Sequence, residues 1–190
     1  PEGRRTYTGV ELMLHRSLAD RFAFEASYVF SRLRGNYDGG FVPAWPQVAP
    51  NVSIQFDFLE HTRNSDGALY EDRPHRLKLH GLYAFDFGLT LGSIVKLQSG
   101  RTVSALQHDS YYGLEIAYAT QRGSEGRTAA TWQWDFHVEQ EIRWFRKLRP
   151  SVVLDVFNVT NENEVLDVDD VKYAAEFDDP ANPYTIPSPY

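Results

Sequence analysis

The chain contains no cysteine. That excludes a disulfide framework and any thiolate metal site. No run of about 18 apolar residues occurs either, so a transmembrane helix is excluded. Cations are in deficit: 19 Lys and Arg against 26 Asp and Glu leave a net charge of −7. That balance argues against nucleic acid as a partner, because phosphates are met with surplus Lys and Arg. Also missing are a Gly-x-Ser-x-Gly elbow, a His-Glu-x-x-His helix, a phosphate loop and a dinucleotide fingerprint. Carboxylate pairs exist, but nothing fixes them at the separation of roughly 5–10 Å that glycosidic chemistry uses. The chain does not read as an enzyme, and it implies no cofactor. Its mean hydropathy of −0.45 is that of a soluble protein. A membrane is not thereby excluded, because in a barrel strand only alternate residues face lipid. No signal peptide is visible at Pro1-Glu-Gly-Arg-Arg5. An exported protein beginning there reads as mature or as a fragment.

What the chain does have is alternation. In 73–86, His75, Leu77, Leu79, Gly81, Tyr83 and Phe85 share one face, and Arg76, Lys78, His80, Leu82 and Ala84 the other. A period of two is that of a β-strand, and a transmembrane strand needs roughly 9–11 residues. The pattern recurs over about 7–18, 22–33, 89–98, 128–142 and 150–159. In 22–33, Phe22, Phe24, Ala26, Tyr28 and Phe30 oppose Ala23, Glu25, Ser27 and Ser31. In 89–98, Leu89, Leu91, Val95 and Leu97 oppose Thr90, Gly92, Lys96 and Gln98. In 128–142, Trp132, Trp134, Phe136 and Val138 oppose Gln133, Asp135, His137 and Glu139. Between the strands, short turns alternate with long segments at about 34–72, 99–127 and 160–190, which read as loops. Outer-membrane barrels have short periplasmic turns and longer extracellular loops. The expected fold is therefore all-β: about six strands of an antiparallel, up-and-down transmembrane barrel.

Several pieces carry a more specific resemblance. They are Tyr7-Thr-Gly-Val-Glu-Leu12, Ala26-Ser-Tyr-Val-Phe-Ser31, Asp72-Arg-Pro-His-Arg-Leu-Lys-Leu79, Ser99-Gly-Arg101, Arg122-Gly-Ser-Glu-Gly-Arg-Thr128 and Leu154-Asp-Val-Phe-Asn-Val-Thr-Asn161. In order and spacing they resemble the C-terminal barrel region of TonB-dependent outer-membrane receptors. The Oar-like group, with its carboxypeptidase-regulatory-like N-terminal domain, is the nearest pattern. The resemblance implies a plugged barrel of about 22 strands in the outer membrane of a Gram-negative bacterium. It implies TonB as a partner, acting through an N-terminal region outside this chain, and an unknown nutrient or peptide as ligand. Outer-membrane lipid, the plug and the rest of the barrel would be its other neighbours. Six strands cannot close such a barrel, and an open edge in lipid is costly. Ile186-Pro-Ser-Pro-Tyr190 carries two prolines and cannot be a central strand. The chain is expected to be a fragment ending one loop short of the terminus. Two other roles stay open: surface assembly or adhesion on the same fold, and a soluble all-β carbohydrate-binding module.

The candidate site residues fall into two sets. Glu25, Arg76, Lys78, His80, Lys96, Asp135, His137 and Glu139 lie on the expected lumen face. Arg76, Lys78 and His80 either engage an anionic substrate or an acidic plug surface, or fill a wet lumen, and Glu25, Asp135, His137 and Glu139 are their acidic counterpart on other strands. Carboxylate and histidine at alternate positions are also the default lumen pattern, so no metal site is assigned. Loop aromatics Trp45, Tyr111, Tyr112 and Tyr118 either stack on a sugar or peptide ligand or pack the loops together. Loop acids including Asp72, Asp167 and Asp170 match no calcium-loop spacing and read as solvated charge. Arg143, Trp144 and Arg149 suit an interfacial anchor.

Overall fold

The structure is a computed structural model that describes residues 2–39, 56, 59–109, 115–144 and 148–173. In chain order the strands are β1 (Arg5–Ala19), β2 (Phe22–Gly35), β3 (Gly67–Ala68), β4 (His75–Ala84), β5 (Leu89–Gln98), β6 (Leu106–Asp109), β7 (Glu115–Tyr118), β8 (Thr131–Glu141), β9 (Ser151–Val156) and β10 (Val171–Tyr173). One 3-10 turn at Glu60–Thr62 is the sole helical element among the described residues. The main sheet runs β1-β2-β4-β5-β8-β9, every pair antiparallel, with β3 added beside β2. This is the expected all-β, up-and-down arrangement.

Register makes the two faces continuous across the sheet. Leu12 pairs with Tyr28, Tyr28 with Leu77, Leu77 with Leu97, and Leu97 with Trp132. A slip of one residue would turn a whole strand over, and none occurs between β2 and β8. The apolar face carries two aromatic belts. Phe22, Phe24, Tyr83 and Phe85 lie toward the short turns, with Phe22 stacked on Phe24 and Tyr83 edge-on to Phe85. Tyr28, Phe30, Trp132 and Trp134 lie toward the long connections. Eight residues separate the outermost rings of β2, roughly 27 Å along a strand and about 20 Å once tilted as in a barrel.

Nothing in the described chain covers this face. Leu12 is 63% exposed, although a sandwich would press a second sheet against it. The polar atoms on the face are instead satisfied sideways. Trp134 Nε1 donates to Ser93 Oγ at 2.8 Å, and Tyr28 Oη meets His75 Nδ1 at 2.8 Å.

Strand ends differ from the alternation for local reasons. Pro74 has no N–H to give, so β4 starts at His75. Its far end turns over Phe85–Gly88, where Gly88 takes φ 93°. Asp20 and Arg21, at φ 48° and 70°, form the two-residue turn whose twist matches flanking strands. β9 stops at Val156 rather than 159, because Asn158 enters the left-handed region at φ 52° and starts a turn.

The larger correction concerns the long connections, which are not plain loops. They contain β3, β6, β7 and β10, and the last three make a second sheet in which β10 runs parallel to β6. At two to four residues these strands are too short for period-two alternation to appear. The buried apolar residues Leu69, Ala105, Leu106, Ala117 and Tyr118 all belong to these connections. Among the described residues the packed core therefore forms a cap at one end of the sheet, while the sheet itself is one layer thick.

Candidate functional site

The polar face gathers the first set of candidates. Glu25 on β2 sits opposite His80 on β4. His15 Nδ1 and His80 Nε2 approach its two oxygens at 3.5 and 3.3 Å. On the far strands His137 Nδ1 meets Asp155 Oδ1 at 2.6 Å, and Glu139 lies opposite Thr90. His15, Glu25, His80, His137 and Asp155 line a concave recess of about 370 Å³ with Asp135. Asp135 is occupied: Gln133 Nε2 donates to both of its oxygens at 2.9 and 3.1 Å, and the Asn158 N–H at 2.9 Å.

The cations take a different stretch of the same face. Lys78 and Lys96 are directly opposite across β4 and β5, and Arg76 pairs with Gln98 one step nearer the cap. All three line a second space of about 590 Å³, roofed by Asn158, Glu162, Asn163, Glu164 and Leu166. Among the described residues, no group of three His, Asp or Glu could hold a metal ion.

The cap holds the residues that the alternation could not reveal. Arg101 is 1% exposed and reaches Asp170 with both nitrogens, at 2.9 and 3.2 Å. It also donates to Asp167 and to the Val168 carbonyl, and stacks 4.3 Å from the Tyr70 ring centroid. Arg122 pairs with Asp38 and covers the ring of Tyr118 at 5.0 Å. Arg127 pairs with Asp72, whose Oδ1 accepts the Leu33 N–H at 2.6 Å. Three arginines thus clamp the three long connections to one another and to the sheet.

Electrostatics follow this packing. Burial pushes the Tyr118 hydroxyl well above its ordinary value. Burial also pushes the Asp167 carboxyl up, but hydrogen bonds from Arg101 and Tyr70 and the Arg101 charge outweigh it, leaving Asp167 below its ordinary value. Burial lowers the Arg73 guanidinium, and the neighbouring charge of Arg76 lowers it further.

Asp72 and Asp170 are 3% and 5% exposed, so they are structural anions and not the solvated charges the spacing suggested. Tyr118, 8% exposed under Arg122, packs the cap. A ligand could stack on it only by displacing that guanidinium. Trp45, Tyr111 and Tyr112 lie outside the described residues. The available sign of the cap was arginine beside glycine, at Gly100-Arg101 and Arg122-Gly123. Which aspartate serves which arginine has no local sign, because the partners stand 69, 84 and 55 residues apart.

Over 173 residues, the chain is 32% identical to the TonB-dependent transporter Oar of Myxococcus xanthus. The match covers 89% of this chain and 16% of that protein, so the chain spans about a sixth of its relative's length. No family model matches the chain, and no solved structure does.

Proposed function

We propose that these residues form a section of the wall of an outer-membrane TonB-dependent receptor. Their apolar face meets lipid, their polar face lines the interior, and the cap lies outside the cell. The role is transport and not catalysis. The observation that carries the reading is the uncovered apolar face of six in-register strands. Exposed apolar patches larger than a few hundred Å² mark interaction or membrane surfaces, and here even the Trp134 and Tyr28 polar atoms are paired within the face. The two aromatic belts frame an apolar band about 20 Å tall when tilted, somewhat short of the ~25 Å of barrel proteins. The likeness to a named transporter supports the functional half.

A pair of substitutions in the full natural protein tests the wall. Leu79→Arg on the apolar face is expected to cost about 2–4 kcal/mol at the bilayer midplane. It should reduce the membrane-inserted fraction with heat-modifiable migration. Thr90→Lys, opposite Glu139 on the polar face, is expected to insert normally. Equal tolerance of both would remove lipid from the apolar face. Transport is tested separately, by comparing ligand uptake in cells with and without TonB. Uptake indifferent to TonB would end the energised-import reading.

A further inference from the structure

Lys78 and Lys96 face each other directly across two strands. Like charges placed so are destabilising, and Arg76 adds a third cation beside them. Among the described residues none of the three forms an ion pair. The carboxylate that acts on Lys96, Asp135, is already engaged by Gln133 and the Asn158 N–H.

The segment that roofs these cations is pinned at both ends. After β9 the chain folds onto the polar face. The Asn158 N–H donates to Asp135, and the Asn158 side chain closes a ring with the Glu162 backbone at 2.9 and 3.0 Å. At its other end Asp167 and Asp170 are held by Arg101. Between the pins, Glu162 and Glu164 border the same 590 Å³ space as Arg76, Lys78 and Lys96. That volume lies within the roughly 300–1,000 Å³ of small-molecule sites.

We infer that this space binds a small soluble polyanion, bearing phosphate or carboxylate groups, and that the strap at 158–170 gates it. The anion relieves the Lys78–Lys96 repulsion, with Gln98, Thr131 and Gln133 supplying neutral hydrogen-bonding groups around it. Glu162 and Glu164 hold the same potential as an internal competitor, weaker because they make no direct ion pair with the lysines. The inference rests on the polar face being the interior of the receptor wall.

The test uses the full natural protein in detergent, with pyrophosphate and citrate as probes in isothermal titration at low and high salt. Wild type is expected to bind at least one probe, more weakly at high salt. Lys78→Gln with Lys96→Gln should weaken binding about tenfold or more, yet raise the unliganded melting temperature by removing the repulsion. Glu162→Gln with Glu164→Gln should tighten binding several-fold. Heat-modifiable migration of every variant establishes insertion, so a failed wall is told apart from a failed site. Inserted wild type and strap variant that both ignore the two probes would overturn the inference. So would lysine variants that bind as well as wild type, or a strap variant that binds no tighter.

Discussion

Arg101 is held by carboxylates distant in sequence, Asp167 and Asp170, and its burial sets what happens when one of them is lost. Breaking a buried pair from one side leaves a charge without a partner, at about 3–5 kcal/mol. Asp170→Ala is therefore expected to open the cap while the wall stays inserted. Amide exchange at Ser104 and Leu106 should speed up, since they bond to Asp170 through its side chain and its carbonyl. Arg101→Met with Asp170→Leu should cost much less, because both charges leave together. Exchange unaffected by Asp170→Ala would show that the pair does not hold the cap. Asp167 adds a pH dependence. Its folded value lies below its ordinary one, so it favours the ordered cap at any pH above the unfolded value of about 3.9. That contribution fades as pH falls through the folded value. Protease resistance of the cap is expected to hold from neutrality to about pH 4 and to drop below it. Asp167→Asn should flatten the drop, and an identical acid profile in that variant would assign it to other carboxylates.

At the scale of elements, legibility depends on length and partner distance. β4 could be read from Leu77, Leu79 and Tyr83 set against Arg76, Lys78 and His80, because ten residues give the period several repeats. Glu25, His80, Lys78 and Lys96 could be assigned to one face on the same ground. Their pairing could not, because cross-strand register is settled by the turns at Asp20-Arg21 and Phe85–Gly88 as much as by the pattern. β6 at four residues and β3 at two offer no period, and β10 runs parallel to β6 across a long interval. Their position is fixed by Arg101, Arg122 and Arg127. Gly100 joins the two kinds of structure, between the end of β5 and Arg101. A Cβ there would run into the carbonyl of Thr128. Arg101 and Thr128 are bonded both ways, Arg101 N to Thr128 Oγ1 and Thr128 N to the Arg101 carbonyl, each at 3.0 Å. Gly100→Ala is expected to cost about 1–3 kcal/mol, as overpacking does. It should weaken these two bonds while leaving β5 in place. Faster exchange at Thr128 with unchanged exchange inside β5 checks it, and no change at Thr128 would contradict it.

For the molecule as a whole, the deciding fact is that among the described residues the sheet has two ends. β1, fifteen residues long, pairs along one side with β2, and β9 pairs along one side with β8. Each has a second edge of backbone N–H and C=O groups, and in hydrocarbon each unpaired group costs several kcal/mol. An apolar face left uncovered by the described residues compounds the problem, since exposed edges beside it invite association with other chains. Such a sheet is stable in a membrane only when further strands continue it past β1 and past β9. In the full natural protein, all backbone amides of β1 are expected to be protected from exchange. In the isolated 190-residue chain, amides pointing toward β2 should be protected and the alternate ones should exchange freely. The isolated chain should also lack heat-modifiable migration and should associate in water. A water-soluble monomer with uniform protection along β1 would mean that the sheet closes on its own, and the barrel wall would have to be given up.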